Sequence, residues 1–239
     1  MAIDTIPAPP LDESSLVAAV RASAPDVRAV VLAGSWARGV ADASSDVDLV
    51  VVWSAPHRAL QVGSLDGRLV EALYLPADRL AEVPGHRATL AGARPLYDPD
   101  GIARAWLHAV NQRLADPPAW TTELAYSRFE LTQALRTMEW IATSDPDTLV
   151  LLRGHWVTEL MTYWFRRHRI WAPTLRRQLG VLAAEDPEAH ALLTGCLQAR
   201  EPQNIVNRCR EAWTAIVGGD GTALEPFASS PPSPLEELR

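Results

Sequence analysis

Asp46 and Asp48 are separated by a single residue at the beginning of an apolar run that ends at Trp53. Side chains two residues apart on a β-strand point to the same face of the sheet, so the two carboxylates project together. Two negative charges about 4 Å apart repel by about 4 kcal/mol at an effective dielectric constant of 20. A fold relieves this repulsion either by letting the side chains diverge into water or by placing divalent cations between them. The Asp-x-Asp spacing alone leaves both interpretations open.

Glu71 favours the cation interpretation. Alternation along the segment GRLVEALYL places Glu71 in a row whose other members are leucines, and a carboxylate in an apolar row is costly unless it is paired or bound to a metal. If this strand lies beside the one that carries Asp46 and Asp48, three carboxylates share one site, and such a set of oxygen donors suits Mg²⁺. A solvent-exposed edge-strand face is the alternative for Glu71.

Gly34 and Ser35 follow directly after an apolar, β-branched run, VRAVVLA. A strand that ends in Gly-Ser before a short helical segment directs backbone N–H groups and a hydroxyl the same way, which suits a phosphate group. Arg38 lies about one helical turn further on and can add positive charge. A plain turn without a ligand is the common alternative for such a dipeptide.

The segments around these residues predict a strand-rich N-terminal part. Residues 11–24 have the pattern of an amphipathic helix, and the apolar runs 27–33 and 47–53 are typical of buried strands. Asp66-Gly67 is the turn signal of a β-hairpin. Residues 93–101 predict a last short strand followed by a turn.

Beyond residue 101 the apolar residues recur at helical spacing. Residues 123–142 and 149–168 predict two long helices, and Asp145 is a candidate N-cap for the second. Shorter helices are expected at 173–184, 187–199 and 202–217. The predicted fold class is α+β, with a small mixed β-sheet domain (1–101) followed by a C-terminal α-helical bundle (102–226). The Pro- and Ser-rich residues 227–239 are expected to form a flexible tail.

Composition narrows the function classes. The net charge is −7 and the chain contains no lysine, which disfavours a polynucleotide as the main substrate because phosphate binding usually requires a basic face. The two cysteines exclude a disulfide framework. No apolar run reaches the length of a membrane span and no signal peptide is evident, so we expect a cytoplasmic protein with no membrane partner.

The stretch GSWARGVADASSDVDL, preceded by PDVRAVVLA and followed later by RPLYDPDG, resembles the signature of the polymerase-β-type nucleotidyltransferase superfamily. The resemblance covers residues 25–101 well, and the helical half is similar in plan to the two-domain antibiotic nucleotidyltransferases of the aminoglycoside and lincosamide types. Trp36 departs from the family pattern, in which a small or basic residue is frequent at that position.

The resemblance implies a role for each matching residue. Gly34 and Ser35 would hold the nucleoside triphosphate, with ATP as the default donor. Asp46 and Asp48 would ligate Mg²⁺, and Glu71 would be a third metal ligand or the general base. In the helical half, Glu130 or Glu159 could be the base instead, and Arg176 could reach the triphosphate.

The implied reaction transfers a nucleoside monophosphate to a hydroxyl of a small molecule, such as an antibiotic or a sugar-like compound, and releases pyrophosphate. Residues 102–226 would then bind the acceptor and the triphosphate, and a homodimer is compatible with such relatives. The alternative function is a protein adenylyltransferase that resembles the minimal nucleotidyltransferase antitoxins. A non-catalytic nucleotide sensor is a third alternative, which the presence of all three carboxylates disfavours.

Overall fold

The computed structural model describes residues 9–82, 88–117 and 119–218. The chain divides into two compact units, Met1–Pro117 and Pro118–Arg239. The predicted tail, residues 227–239, lies outside the described residues. Among those residues, none of the helices has both the length and the apolar character that crossing a membrane requires.

The described residues of the N-terminal unit form a five-stranded sheet, three α-helices and two short 3₁₀ segments. In chain order the elements are α1 (Glu13–Ser23), β1 (Val27–Leu32), α2 (Gly34–Ala37), β2 (Val47–Trp53), β3 (Ala59–Leu65), β4 (Arg68–Pro76), 3₁₀ turns at Ala77–Glu82 and Ala88–Leu90, β5 (Arg94–Tyr97) and α3 (Ile102–Ala115).

The sheet is mixed, with the strand order β3-β4-β2-β1-β5. β1 pairs antiparallel with both β2 and β5, β2 pairs parallel with β4, and β3 and β4 form an antiparallel hairpin. The hairpin turn consists of Asp66 (φ 51°) and Gly67 (φ 76°). Positive φ at both central residues is the type I′ geometry that Asp-Gly favours, which agrees with the predicted turn.

Each face of the sheet is covered by a different helix. α1 packs on the face that carries Leu49 and Val51, and α3 packs on the face that carries Val50 and Val52. α3 has no counterpart among the predicted helices. Its packing explains why the N-terminal unit extends to residue 117, whereas the sequence placed the domain boundary after residue 101.

The C-terminal unit is helical. Its elements are α4 (Thr121–Ile141), α5 (Pro146–Arg167), α6 (Leu175–Glu185), α7 (Pro187–Gln198) and α8 (Pro202–Ile216). They surround one apolar core that includes the fully buried Trp156, Trp213 and Phe165. Asp145 accepts a hydrogen bond from the Thr148 N–H, so it caps α5 as predicted. The α+β fold class, with a mixed sheet followed by helices, is confirmed.

Candidate active site

The end of β1 brings Gly34 directly against the side chain of Asp48. The Ala33 N–H donates to the carbonyl oxygen of Asp48 (2.9 Å), which ties this turn to β2. Gly34 has a φ of +67°, and a Cβ built on it would lie only 1.9 Å from Oδ2 of Asp48. Glycine alone combines that backbone conformation with that clearance. Gly34 therefore makes room for a carboxylate, whatever its contact with a substrate.

Asp48 and Glu71 are direct neighbours in the parallel ladder between β2 and β4. Val47 and Leu49, which alternate with Asp48, are almost fully buried on the other face. Burial first, and then the negative charges of Asp46 and Glu71, raise the pKa of Asp48 from 3.8 to about 6, although the positive charge of Arg38 acts to lower it. The structure thus places Asp46 and Glu71 within electrostatic range of Asp48.

Ser35 lies within the single helical turn α2, and Arg38 directly follows it. The Ser35 carbonyl oxygen accepts a hydrogen bond from the Val40 N–H (3.1 Å). The side chain of Arg38 runs close to Gly92, where a Cβ would lie 3.0 Å from Arg38 Cγ. Ser35 and Arg38 are both half-buried. Gly34 contacts Asp48 and the charge of Arg38 acts on it, while Ser35 follows Gly34 in the same turn. The predicted contact of all three residues with phosphate stays a prediction.

Asp42, which the sequence analysis did not single out, organises the chain that leads into β2. Its Oδ1 accepts hydrogen bonds from the N–H of Ser44 (2.9 Å) and from the hydroxyl of Ser45 (3.2 Å). The Asp42 N–H in turn donates to the Ser45 hydroxyl (3.0 Å). Asp-Ala-Ser-Ser is a typical sequence for such a side-chain-stabilised turn, so this turn could have been predicted from the sequence. This turn fixes the direction in which the chain reaches Asp46.

Trp36 packs against the residues that flank the site. Its indole N–H lies 3.5 Å from the Ser45 carbonyl oxygen, and the guanidinium of Arg68 lies 4.9 Å from the centre of a Trp36 ring. Arg68 also donates to the carbonyl oxygen of Pro9 (2.9 Å). The departure from the family pattern at Trp36 therefore has a structural use, because the ring supports the turn that precedes Asp46.

The donor set at this site is of the type that Mg²⁺ prefers, since all three side chains offer carboxylate oxygens. Burial and the two neighbouring carboxylates raise the pKa of Asp48 despite the positive charge of Arg38, so a bound cation would stabilise the ionised form of Asp48. Within the described parts of the chain, however, no three His, Cys, Asp or Glu side chains are arranged to hold one ion together. The residues fit Mg²⁺ by chemistry, and the side chains would have to converge to bind it.

The predicted residues of the helical half belong to the C-terminal unit. Glu130 is exposed on α4, where its charge raises the pKa of Tyr126 one turn earlier. Glu159 is half-buried on α5, and Arg176 is exposed near the start of α6. Trp156 and Tyr163, which flank Glu159 in sequence, are both buried in the core of this unit. Nothing in the geometry assigns catalytic roles to Glu130, Glu159 or Arg176, which stay predictions.

Two arginines in the last turn of α5, Arg166 and Arg167, form hydrogen bonds within the helical unit. Arg166 donates to the hydroxyl of Ser127 (3.0 Å). Arg167 donates to the carbonyl oxygens of Ile216 and Val217 at the end of α8. These side chains satisfy backbone and hydroxyl groups within the bundle, so the basic segment serves the fold in part.

Comparison with protein-family models identifies a "Nucleotidyltransferase domain" over residues 14–96. This range contains α1 except its first residue, the whole sheet except the last residue of β5, and all three site carboxylates. A comparison with curated proteins gives no match.

Among solved structures, the chain is similar to a nucleotidyltransferase-like protein from Exiguobacterium sibiricum 255-15. The identity is 12%, the TM-score is 0.52, and the match covers 87% of this chain and 77% of the other. At that identity the likeness concerns the fold alone. The family-model match supports a transferase domain of the polymerase-β-type nucleotidyltransferase superfamily in residues 14–96. The structural match supports the fold, and neither match singles out the antibiotic nucleotidyltransferases.

Proposed function

We propose that this protein transfers a nucleoside monophosphate, by default AMP from ATP, to a hydroxyl group of a small molecule in a Mg²⁺-dependent reaction. In this reaction the acceptor oxygen forms a bond to the α-phosphorus of the nucleotide. The bond between that phosphorus and the oxygen that bridges to the β-phosphate breaks, and pyrophosphate leaves. A hydroxylated antibiotic or sugar-like compound is the proposed class of acceptor.

One observation carries the proposal: Asp48 is aligned with Glu71, lies against Gly34, and has a pKa raised to about 6. The fold keeps a partly buried carboxylate beside two others although the cluster destabilises it. Perturbed carboxylates grouped in this way are typical of functional sites. The nucleotidyltransferase-domain match over the same residues supports the type of chemistry.

The proposed roles follow from position. Asp46, Asp48 and Glu71 would hold Mg²⁺, which when bound offsets the negative charge of the carboxylates and the triphosphate. The backbone at Gly34 and the hydroxyl of Ser35 would contact phosphate oxygens, and Arg38 would add positive charge on the same side. Glu71 is the most exposed of the three carboxylate residues, so it is our candidate to accept the proton of the acceptor hydroxyl.

The helical unit is proposed to contribute to acceptor and triphosphate binding, with Arg176 as the candidate for a phosphate contact. If Glu71 serves as a metal ligand only, Glu130 or Glu159 would be the base. A variant with Glu71→Gln separates these options, because loss of metal-dependent nucleotide binding indicates a ligand. Unchanged nucleotide binding with slow transfer indicates a base.

The experiment that tests the proposal measures pyrophosphate release from each of the four ribonucleoside triphosphates, with and without Mg²⁺, across a panel of hydroxylated antibiotics and sugars. Asp48→Asn serves as the inactive variant. Asp26→Asn is the matched control, since Asp26 is an exposed aspartate in the turn before β1.

Release that depends on an acceptor and on Mg²⁺, and that disappears in Asp48→Asn but not in Asp26→Asn, is the expected result. If no compound in the panel causes pyrophosphate release but ATP binds in a Mg²⁺-dependent way, the result would favour a protein acceptor, which is the alternative function. If no triphosphate binds in the presence of Mg²⁺, the proposed function is wrong.

A further inference from the structure

We infer that β3 is an interface at which two copies of this chain join their sheets edge to edge. β3 is the outermost strand next to β4, and among the described residues it has backbone pairing with β4 alone. All five of its inner residues, 60 to 64, are exposed. The large apolar side chains of Leu60 and Val62 are 59% and 58% exposed.

The two edges of the sheet are built differently. β5, at the other edge, has four residues, contains Pro95, pairs with β1 through an irregular register, and places Arg94 in an ion pair with Glu13. Short length, proline, bulges and charges are the devices by which proteins keep an edge from pairing with another chain. β3 has seven residues, an unbroken register with β4, and neither a proline nor a charge (ALQVGSL). Among the residues that the structure describes, only those of the β5 edge show such protection against pairing.

The hairpin fixes which backbone groups of β3 point outward. In a two-residue hairpin the residues beside the turn form a hydrogen-bonded pair, and bonded pairs then alternate along the ladder. Leu65 pairs with Arg68 beside this turn, so Leu60, Val62 and Ser64 direct their N–H and C=O groups away from β4. An antiparallel second copy of β3 can accept and donate hydrogen bonds at all three residues.

The sequence of β3 selects a second copy as the occupant. When two antiparallel copies are centred on Val62, Leu60 of one copy faces Ser64 of the other, and no like charges meet. Arg58, just before β3, then reaches the end of the strand at which the partner's Asp66 lies. Arg58 and Asp66 are both exposed, and within the described residues neither forms an ion pair. The register therefore places opposite charges at both ends of an apolar centre.

Gly63 is consistent with this pairing. A Cβ on Gly63 would have no atom within 4 Å, and its φ is not positive, so the fold of one chain does not require glycine there. In the proposed register Gly63 faces the partner's Gln61. A glycine within a strand often marks a close approach of another backbone or side chain.

The pairing would bring the two candidate active sites onto one surface. Val62 lies directly across from Glu71 in the β3–β4 ladder. The row therefore runs Glu71, Val62, the partner's Val62 and the partner's Glu71. Three strand spacings separate the two glutamates by about 14 Å. Because the two-fold axis of an antiparallel pair is perpendicular to the sheet, both carboxylate groups would face the same side.

The test is the sedimentation velocity of the full chain over about a hundredfold range of concentration, compared with Val62→Lys and Val150→Lys. Val150 is the matched control because it is an exposed valine (45%) on α5. We expect the unmodified chain and Val150→Lys to reach twice the 26.1 kDa of one chain. In Val62→Lys two like charges meet at the two-fold axis, so its dimer dissociation constant should rise at least about tenfold.

A double-mutant cycle with Arg58→Ala and Asp66→Asn tests the register, and asparagine keeps the turn chemistry at residue 66. Each change should weaken the dimer, and the double variant should lose less than the sum of the two effects because the two residues pair with each other.

A monomeric unmodified chain would overturn the inference, and so would a dimer that Val62→Lys leaves intact. If the chain is monomeric and a variant without residues 1–8 forms dimers through β3, the N-terminal segment covers this edge in place of a second copy. That outcome would also overturn it.

Discussion

Aspartates occupy two kinds of position in this protein, and their pKa values are displaced in opposite directions. Asp12, Asp145 and Asp186 each precede a helix and accept a backbone N–H, and hydrogen bonding lowers the pKa of all three carboxyl groups. At β2, burial and neighbouring carboxylates raise the pKa of Asp48 to about 6. Ionised aspartate stabilises the fold at the helix ends and destabilises it at β2.

The folded structure explains why aspartate occurs at the three helix ends, but it does not explain why aspartate occurs at residue 48. A capping aspartate supplies an acceptor to N–H groups that have no partner within the helix. Among the described residues, none donates a comparable hydrogen bond to the side chain of Asp48, which lies near the like charges of Asp46 and Glu71. A residue whose ionised form costs stability is better explained by ligand binding, which is the reasoning that identifies active-site carboxylates in general.

The largest predicted effect is the loss of transfer in Asp48→Asn. We expect the rate of transfer to fall by at least about a thousandfold, as for other residues of a catalytic group. In the absence of metal, the free energy of unfolding at neutral pH should not decrease, because the substitution removes a buried charge. Steady-state pyrophosphate release and chemical denaturation with a chelator present measure the two quantities. If Asp48→Asn lowered the free energy of unfolding as well as the rate of transfer, the role of Asp48 would be structural.

Gly34→Ala should be the next most severe change. The new Cβ would meet Oδ2 of Asp48 at 1.9 Å and displace the carboxylate, so we expect activity to fall about a hundredfold. Gly39→Ala is the matched control, because Gly39 also has a positive φ (+69°) but has no atom within 4 Å of the Cβ position. If both variants lose activity equally, backbone strain explains the effect and the contact with Asp48 does not.

Asp186→Ala should affect stability. Its carboxylate accepts the Ala189 N–H (3.0 Å) and the indole N–H of Trp164 (2.8 Å). Loss of a helix cap typically costs about 1–2 kcal/mol of unfolding free energy, which urea denaturation can measure. Glu188→Ala in the first turn of the same helix is the control, since Glu188 is exposed and does not cap. A stability loss no larger than that of the control would contradict the capping role.

The smallest effects should appear in the pH dependence of stability, with opposite signs at the two kinds of aspartate. The pKa of Asp48 is higher in the folded chain (about 6) than its ordinary value of 3.8, so the folded state binds more protons in this window. The stability contribution of Asp48 therefore falls as the pH rises from about 4 to about 6.

The pKa of Asp186 is lowered in the folded chain. Its contribution to stability is therefore present above the ordinary pKa and is lost as the pH falls through the folded value. Thermal unfolding of the metal-free chain at several pH values, with Asp48→Asn and Asp186→Ala in parallel, measures both. A constant difference between the unmodified chain and Asp48→Asn from pH 4 to pH 7 would contradict the pKa shift of Asp48.

The sequence by itself determined the local features of this protein. These features follow from residues close together in the chain. They are the Asp66-Gly67 turn, the Asp145 cap and the alternation that places Asp48 and Leu49 on opposite faces of the sheet. These features are predictable because backbone preferences and strand or helix periods act over a few residues. The three carboxylates and Gly34 could be predicted as site residues for the same reason, since motif spacing and strand alternation are both local.

The tertiary structure decided which distant residues meet. The parallel pairing of β2 with β4 places Glu71 beside Asp48, and the turn after β1 places Gly34 under the Asp48 carboxylate. The packing of α3 on the sheet extends the N-terminal unit past the predicted boundary. The strand order places β3 at an edge of the sheet, where, within the described parts of the chain, its backbone pairs with β4 alone. Strand order and helix packing depend on the burial of apolar surface over the whole unit, which no short stretch of sequence encodes.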